Sequence, residues 1–162
     1  MDVSGYRHTG SLTIDRDPDA VYAIISDVSR IGELSPVCKA GAWDDDAQAG
    51  KEGAWFTGHN VLGSFSWDTH CQVTAATPGR QFTFINYGPG HEQQLVQWGY
   101  TFAPDGAGTS VTETWTLLPA YVDFVTSSDP NADVKARIDG MAQMARDGIS
   151  ETLANLKRIA ES

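Results

Sequence analysis

The spacing of apolar residues changes several times along the chain, and each change predicts a new kind of element. Residues 7–15 alternate between apolar and polar, which is typical of a strand. From residue 38 to residue 119 the period is again two, and the segments DDDAQAGKEG, VLGS, TPG, GPG and PDGAG interrupt it. Segments of this composition form turns, so the pattern predicts about six consecutive antiparallel strands after the first one.

Helical spacing predicts two short helices between the first strand and the second. Asp17 is a suitable N-cap residue and Pro18 suits the first helical position. An apolar stripe at helical spacing follows, formed by Val21, Ile24, Ile25 and Val28. Ile31 and Leu34 continue the stripe in a second helix, which we expect to end at the following Ser-Pro pair.

A long helix is predicted at the C-terminal end of the sequence, opened by Asp129 and Pro130. Its apolar positions step by three and four almost without interruption: Val134, Ile138, Met141, Ala142, Ala145, Ile149, Leu153, Leu156 and Ala160. About 30 residues at a rise of 1.5 Å give a length of about 45 Å. Such a helix is long for a domain of this size and suits a position across a curved sheet.

Two glycines inside this helix leave two interpretations open. Gly140 and Gly148 each cost about 1 kcal/mol relative to alanine in a helix interior. They permit either close packing against a strand or free space for a ligand. The second interpretation is supported by Met141 and Met144, whose flexible side chains are common at permissive binding surfaces.

The segment FTGHNVLGSFSWDTHCQV, residues 56–73, contains the groups that could form a metal or catalytic site. If VLGS is a loop that pairs Asn60 with Phe65, alternation places the large side chains on one face together with Asn60 and Thr69. The opposite, polar face carries Thr57, His59, Ser66, Asp68, His70 and Gln72. The two histidines and Asp68 are chemically suited to zinc, but the polar composition of their face indicates solvated sheet, so we predict no metal site. A nucleophile pair of Cys71 and His70 is excluded because neighbouring residues point to opposite faces.

The same alternation extends to the later strands. A turn at residues 77–78 would place Val73 opposite Phe82 and Cys71 opposite Phe84. In the last hairpin, the loop DGAG places Tyr100 opposite Glu113. The carboxyl group is therefore predicted to join the aromatic face of the sheet. Trp67 lies on this face as well, and we expect it to be fully buried.

Length, composition and charge restrict the partners of the protein. A chain of 162 residues suits a single domain, residues 1–162, and its net charge of −10 disfavours nucleic acid and anionic membrane surfaces. The first residues lack the features of a signal peptide, and no apolar run reaches the ~20 residues of a membrane span. Cys38 and Cys71 form no CxxC pair. We expect a cytoplasmic protein with reduced thiols, no integral membrane association and no cofactor.

Several segments, in this order and spacing, carry a resemblance that covers essentially the whole chain. They are DPDAVYAIISDVSRIGELSP, GAWFTGHN, SWDTHCQVTAATPGRQFTF, WGYTF, GTSVTETW and the C-terminal helix. The sequence thereby resembles the START-like, SRPBCC superfamily, in the branch named for polyketide cyclases and dehydrases. The resemblance implies an α+β helix-grip fold, in which a curved antiparallel sheet of about seven strands wraps the long helix and encloses an apolar cavity. Relatives of this kind include lipid and hormone carriers as well as aromatases and cyclases, so the reaction is not implied.

Three interpretations of function remain open. The favoured one is a protein that binds a small hydrophobic or aromatic molecule, such as a lipid, a polyketide or another secondary metabolite, in the internal cavity. The second is a polyketide cyclase or dehydratase that uses Glu113 or Tyr100, and the third is a protein-interaction module without a ligand. The predicted ligand-binding residues are Phe56, Asn60, Trp67, Thr69, Cys71, Phe82, Phe84, Asn86, Trp98, Tyr100, Glu113 and Trp115 of the sheet, and Ile138, Met141, Met144 and Ala145 of the long helix. We expect the cavity to open between a loop at residues 120–130 and the loops NVLGSF and NYGPGHE.

Overall fold

The computed structural model describes all 162 residues and contains seven strands and four α-helices. The strands are β1 (Arg7–Ile14), β2 (Cys38–Trp43), β3 (Trp55–Leu62), β4 (Phe65–Thr77), β5 (Gln81–Tyr87), β6 (Gln94–Asp105) and β7 (Gly108–Leu117). The helices are α1 (Pro18–Ser26), α2 (Ile31–Leu34), α3 (Ala120–Ser128) and α4 (Val134–Ala160). The strands form one curved antiparallel sheet in the order β1-β7-β6-β5-β4-β3-β2. The predicted α+β helix-grip fold is confirmed.

The two short helices between β1 and β2 begin and end as the sequence predicts. The side chain of Asp17 accepts a hydrogen bond from the Ala20 N–H at 3.1 Å and so caps α1. After α2, Ser35 adopts an extended conformation, as expected for a residue before proline. Its hydroxyl oxygen accepts hydrogen bonds from the N–H groups of Val37 and Cys38, which directs the chain into β2.

The segment before the long helix differs from the prediction, which placed a loop at residues 120–130. It contains helix α3, and Asp129 ends that helix by donating its N–H to the Val125 carbonyl at 2.9 Å. The long helix therefore begins only at Val134, where the side chain of Asp133 accepts from the Ala136 N–H at 3.0 Å. An acidic residue can follow the end of one helix or cap the start of the next, and the sequence does not distinguish these two roles. The predicted start of the long helix at Asp129 was wrong for this reason.

The register of two hairpins differs from the prediction by two residues. Asn60 lies opposite Trp67, because β3 and β4 continue to a two-residue turn in which Gly63 has a φ of +62°. A three-residue loop at residues 78–80, together with a bulge between Val73 and Ala75, places Val73 opposite Phe84 and Cys71 opposite Asn86. An even shift leaves each side chain on its predicted face, so the division into two faces is confirmed. The β6–β7 register is as predicted.

The hydrophobic core lies between the concave face of the sheet and the helices α1 and α4. Helix α4 contacts β1 and β7. Gly10 on β1 allows this approach, since a Cβ atom there would lie 2.6 Å from the Ile149 side chain. A cavity occupies the remainder of the concave face, where residues of β3 to β7 line it.

Candidate ligand-binding cavity

A cavity of about 790 Å³ lies between the concave face of the sheet and α4. Its wall is mostly hydrophobic, and its volume falls within the range of small-molecule sites. The wall on the α4 side includes Gly148, where an added Cβ atom would meet only Pro36, at 4.0 Å. Of the two interpretations of the helix glycines, the structure therefore supports free space at Gly148. Gly140 has open space around it but does not line the cavity.

The structure brings nearly all of the predicted residues to the cavity wall. Every predicted sheet residue lines it: Phe56, Asn60, Trp67, Thr69, Cys71, Phe82, Phe84, Asn86, Trp98, Tyr100, Glu113 and Trp115. From α4, Met141, Met144 and Ala145 line it as well. Ile138 does not, because the hydrophobic core encloses its side chain completely and leaves no surface for a ligand. The assignment of Ile138 to the cavity was wrong.

Part of the wall was missed by the sequence prediction. The segment from α1 to β2 contributes several side chains: Ile25, Val28, Ile31, Leu34, Pro36, Val37 and Cys38. Their helical spacing predicts a buried face but does not indicate whether a strand, a helix or a cavity covers that face. Tyr121 and Phe124 of α3 also line the cavity, and they belong to the segment that was predicted to surround its opening.

A buried carboxyl group forms part of this wall. Glu113 is only 2% exposed, and its Oε2 atom accepts a hydrogen bond of 2.6 Å from the Tyr100 hydroxyl. Burial raises the pKa of Glu113 to about 8, although the bond from Tyr100 acts in the opposite direction. Burial, followed by the proximity of Glu113, raises the pKa of Tyr100 well above its usual value. Both shifts therefore favour the protonated forms of the two groups.

Asn60 and Cys71, two other polar groups of the sheet wall, have partners within the protein. The Asn60 amide donates to the Trp67 carbonyl at 3.1 Å and to the Thr69 hydroxyl at 3.3 Å. The Cys71 thiol donates to the Asn86 side-chain oxygen at 3.0 Å, and burial raises the pKa of this thiol. Glu113 Oε1, in contrast, is a buried side-chain oxygen without a hydrogen-bond partner. It is the one fully buried polar side-chain atom that lacks a partner within the protein.

The cavity reaches the surface near the tip of the β3–β4 hairpin. Phe65 lines the cavity and is 75% exposed, and Trp67 beside it is 37% exposed. The expectation that Trp67 is fully buried was wrong, because the inner face of the hairpin extends past the side chains that cover the rest of the sheet. Pro89 and Phe124 also contribute to the wall, so all three segments predicted to surround the opening line the cavity.

The convex face of the sheet carries His59 and His70, as the alternation predicts. His59 Nδ1 lies 2.8 Å from Asp68 Oδ1, and both side chains are about half exposed. His70 instead packs against the ring of His91, with ring centroids 4.8 Å apart. The three groups that are chemically suited to zinc thus form two separate contacts.

The family to which the chain belongs is shown by its similarity to known proteins. The sequence model of the family described as polyketide cyclase / dehydrase and lipid transport matches residues 7–161. The chain belongs to this family. No curated protein matches it in sequence.

Solved structures of similar proteins share this fold. A Polyketide_cyc-like protein from Corynebacterium glutamicum is 33% identical with a TM-score of 0.68, and the match covers 96% of this chain and 91% of that one. The di-domain ARO/CYC protein StfQ of the steffimycin biosynthetic pathway is 13% identical with a TM-score of 0.69, over 96% of this chain and 50% of its own. This second likeness concerns the fold alone. None of the helices in this family member has the length and hydropathy required to cross a bilayer.

Proposed function

We propose that this protein binds a small, largely apolar and aromatic molecule in the cavity between the sheet and α4. The observation that carries the proposal is the cavity itself, a space of about 790 Å³ with an aromatic wall and few polar groups. A solid core would have filled this space with side chains, because protein interiors are close-packed. The family description, which names polyketides and lipid transport, is consistent with such a ligand.

The wall also indicates the kind of molecule that would fit. Phe56 and Phe84 meet edge to face, with ring centroids 5.0 Å apart, and Trp98 lies opposite Trp115 across β6 and β7. Aromatic side chains in these arrangements favour contact with flat rings. Arg137 is the only lysine or arginine of the wall and is exposed, so the interior favours neutral ligands over anionic ones.

Native mass spectrometry of the purified protein, combined with one cavity-filling variant, tests the proposal. We expect a co-purified small molecule, released on denaturation, in the parent protein. Gly148→Phe should abolish its binding, because the new side chain enters free space at the cavity wall. Gly140→Phe is the matched control, since it makes the same change in the same helix, away from the cavity. Loss in both variants, or in neither, would contradict the proposal.

A second function, as a cyclase or dehydratase, is supported by the state of Glu113. A carboxyl group that keeps its proton at neutral pH can act as a general acid toward a bound carbonyl or hydroxyl. Tyr100 would hold this acid in place through the 2.6 Å hydrogen bond. A poly-β-ketone thioester offered to the protein should then cyclise or lose water faster than in buffer. Glu113→Gln should remove the acceleration while the compound still binds; an unchanged rate in this variant would exclude Glu113 as the acid.

A further inference from the structure

We propose that Glu113 selects ligands that carry a carbonyl group, so that the ligand is a flat aromatic ketone or quinone whose oxygen accepts a hydrogen bond from the Glu113 carboxylic acid. This inference rests on the proposed binding function and names the class of ligand. It depends on the positions of the two carboxyl oxygens and on the groups that surround them.

The hydrogen bond from Tyr100 assigns different roles to the two oxygens of Glu113. The Tyr100 hydroxyl donates to Oε2 at 2.6 Å, so Oε2 acts as the carbonyl oxygen of the acid. The acidic proton therefore belongs on Oε1. This atom has no acceptor within the protein, and a buried donor without an acceptor costs about 1–3 kcal/mol. A ligand oxygen beside Oε1 removes this cost.

No acceptor lies within hydrogen-bond distance of Glu113 Oε1, and the elements packed directly against Glu113 supply no cation. On β1 the residue opposite is Gly10, and the α4 side chains in front of Gly10 are those of Ile149 and Leu153. Thr152 of α4 lines the same cavity and carries a hydroxyl group, but this group makes no hydrogen bond to Oε1. The neighbourhood thus leaves Oε1 to a ligand.

Of the titratable groups near Glu113, only Tyr100 acts on its pKa, and burial outweighs the effect of that hydrogen bond. Tyr100 of β6 faces it directly, and the Cys38 thiol of β2 acts on Tyr100 at longer range. His8 is the next inward residue on β1, where it stacks on Trp115, and Arg146 of α4 acts on His8. The pKa of about 8 for Glu113 reflects burial opposed only by the Tyr100 hydrogen bond. The carboxyl group is therefore a hydrogen-bond donor at neutral pH and ceases to be one in alkaline solution.

Two probes of the same shape test this selectivity. Fluorenone and fluorene share one flat skeleton and differ only in a carbonyl in place of a methylene group. Their dissociation constants would be measured by tryptophan quenching or calorimetry for the parent protein, Glu113→Leu and Glu113→Gln. The relevant quantity is the ratio of the fluorene constant to the fluorenone constant, because comparing this ratio between proteins cancels the different hydrophobicity of the two probes.

The inference predicts a distinct result for each protein. The ratio should fall about fivefold in Glu113→Leu, which corresponds to one lost hydrogen bond, and should be largely retained in Glu113→Gln. The glutamine carbonyl can accept from Tyr100 while its NH₂ group donates to the ketone. In the parent protein the ratio should also fall between about pH 6.5 and about pH 9.5, whereas in Glu113→Gln it should not change with pH.

The outcomes separate failure of this inference from failure of the proposed function. Equal ratios in all three proteins, with both probes bound and both lost in Gly148→Phe, would overturn carbonyl selection and leave the binding function intact. If neither probe binds the parent protein, the binding function fails and the inference fails with it. A pH-independent ratio in the parent protein overturns carbonyl selection even if Glu113→Leu does not fold.

Discussion

The two faces of the sheet each carry a carboxyl group with one short hydrogen bond, and the two groups differ in almost every other respect. Glu113 on the concave face accepts from Tyr100 at 2.6 Å and is 2% exposed. Asp68 on the convex face lies 2.8 Å from His59, with 56% of its side chain exposed. The pKa of Glu113 is raised to about 8 although a hydrogen bond opposes the shift. Burial therefore decides the protonation state of this carboxyl group, and the hydrogen bond only moderates it.

The largest effect that tests this comparison is the pH dependence of stability in Glu113→Gln. The pKa of Glu113 is about 8 in the folded protein and near 4.5 in an unfolded chain, so the folded state holds its proton where the unfolded state has released it. The stability of the parent protein should fall as pH rises from about 4.5 to about 8 and level off above, by several kcal/mol in total. Glutamine has no such proton, so the variant should gain stability over the parent across this range.

Urea unfolding of both proteins at several pH values measures this difference. The matched control is Asp68→Asn, which makes the same chemical change on the convex face and should give a curve that follows the parent at every pH. Parallel curves for Glu113→Gln and the parent protein would show that Glu113 ionises normally, and would remove the contrast between the two faces.

A second, smaller effect is the difference in stability lost when each of two tryptophans on the concave face is truncated. Trp115 is 1% exposed within the core, whereas Trp67 at the hairpin is 37% exposed. Trp115→Ala should cost about 3–5 kcal/mol, as a large buried truncation does, and Trp67→Ala about 1 kcal/mol or less. Chemical denaturation of both variants measures the difference. Equal costs would mean that the hairpin is held more firmly against the body of the protein than its exposure indicates.

The sequence predicted which face each strand residue occupies more reliably than which residue it meets across the sheet. The face that a residue occupies depends only on whether its position along the strand is odd or even. The predicted registers of β3–β4 and β4–β5 were each wrong by two residues, which leaves the faces unchanged. The actual registers depend on the turn at Gly63, with its φ of +62°, and on the loop at residues 78–80 together with the bulge between Val73 and Ala75. Gly63 and Ser64 suit a two-residue hairpin turn, so the sequence did carry a signal for the first feature, whereas the bulge has no comparable signal.

The cavity was predictable on the sheet side and less so elsewhere. The aromatic residues of β3 to β7 follow from alternation, and the pairing of Tyr100 with Glu113 follows from a short, unambiguous hairpin loop. The contribution of residues 25–38 depends on where the helices come to rest, which is a tertiary property. Ile138 shows the converse limit, because a helical stripe contains both core and cavity residues and spacing does not distinguish between them.

The smallest expected effect concerns the contact on the convex face, where His59 and Asp68 are 52% and 56% exposed. Exposed ion pairs contribute little, because water screens them and two side chains must be held in one geometry. His59→Ala and Asp68→Asn should each change the free energy of unfolding by about 0.5 kcal/mol or less, and the double variant should show a coupling no larger than that. Urea unfolding at low and at high salt provides the measurement, and high salt should weaken any coupling present. A coupling above about 1 kcal/mol that persists in high salt would show that the convex face is shielded from solvent, for example by a partner, and would make the two faces of the sheet more alike than their exposure indicates.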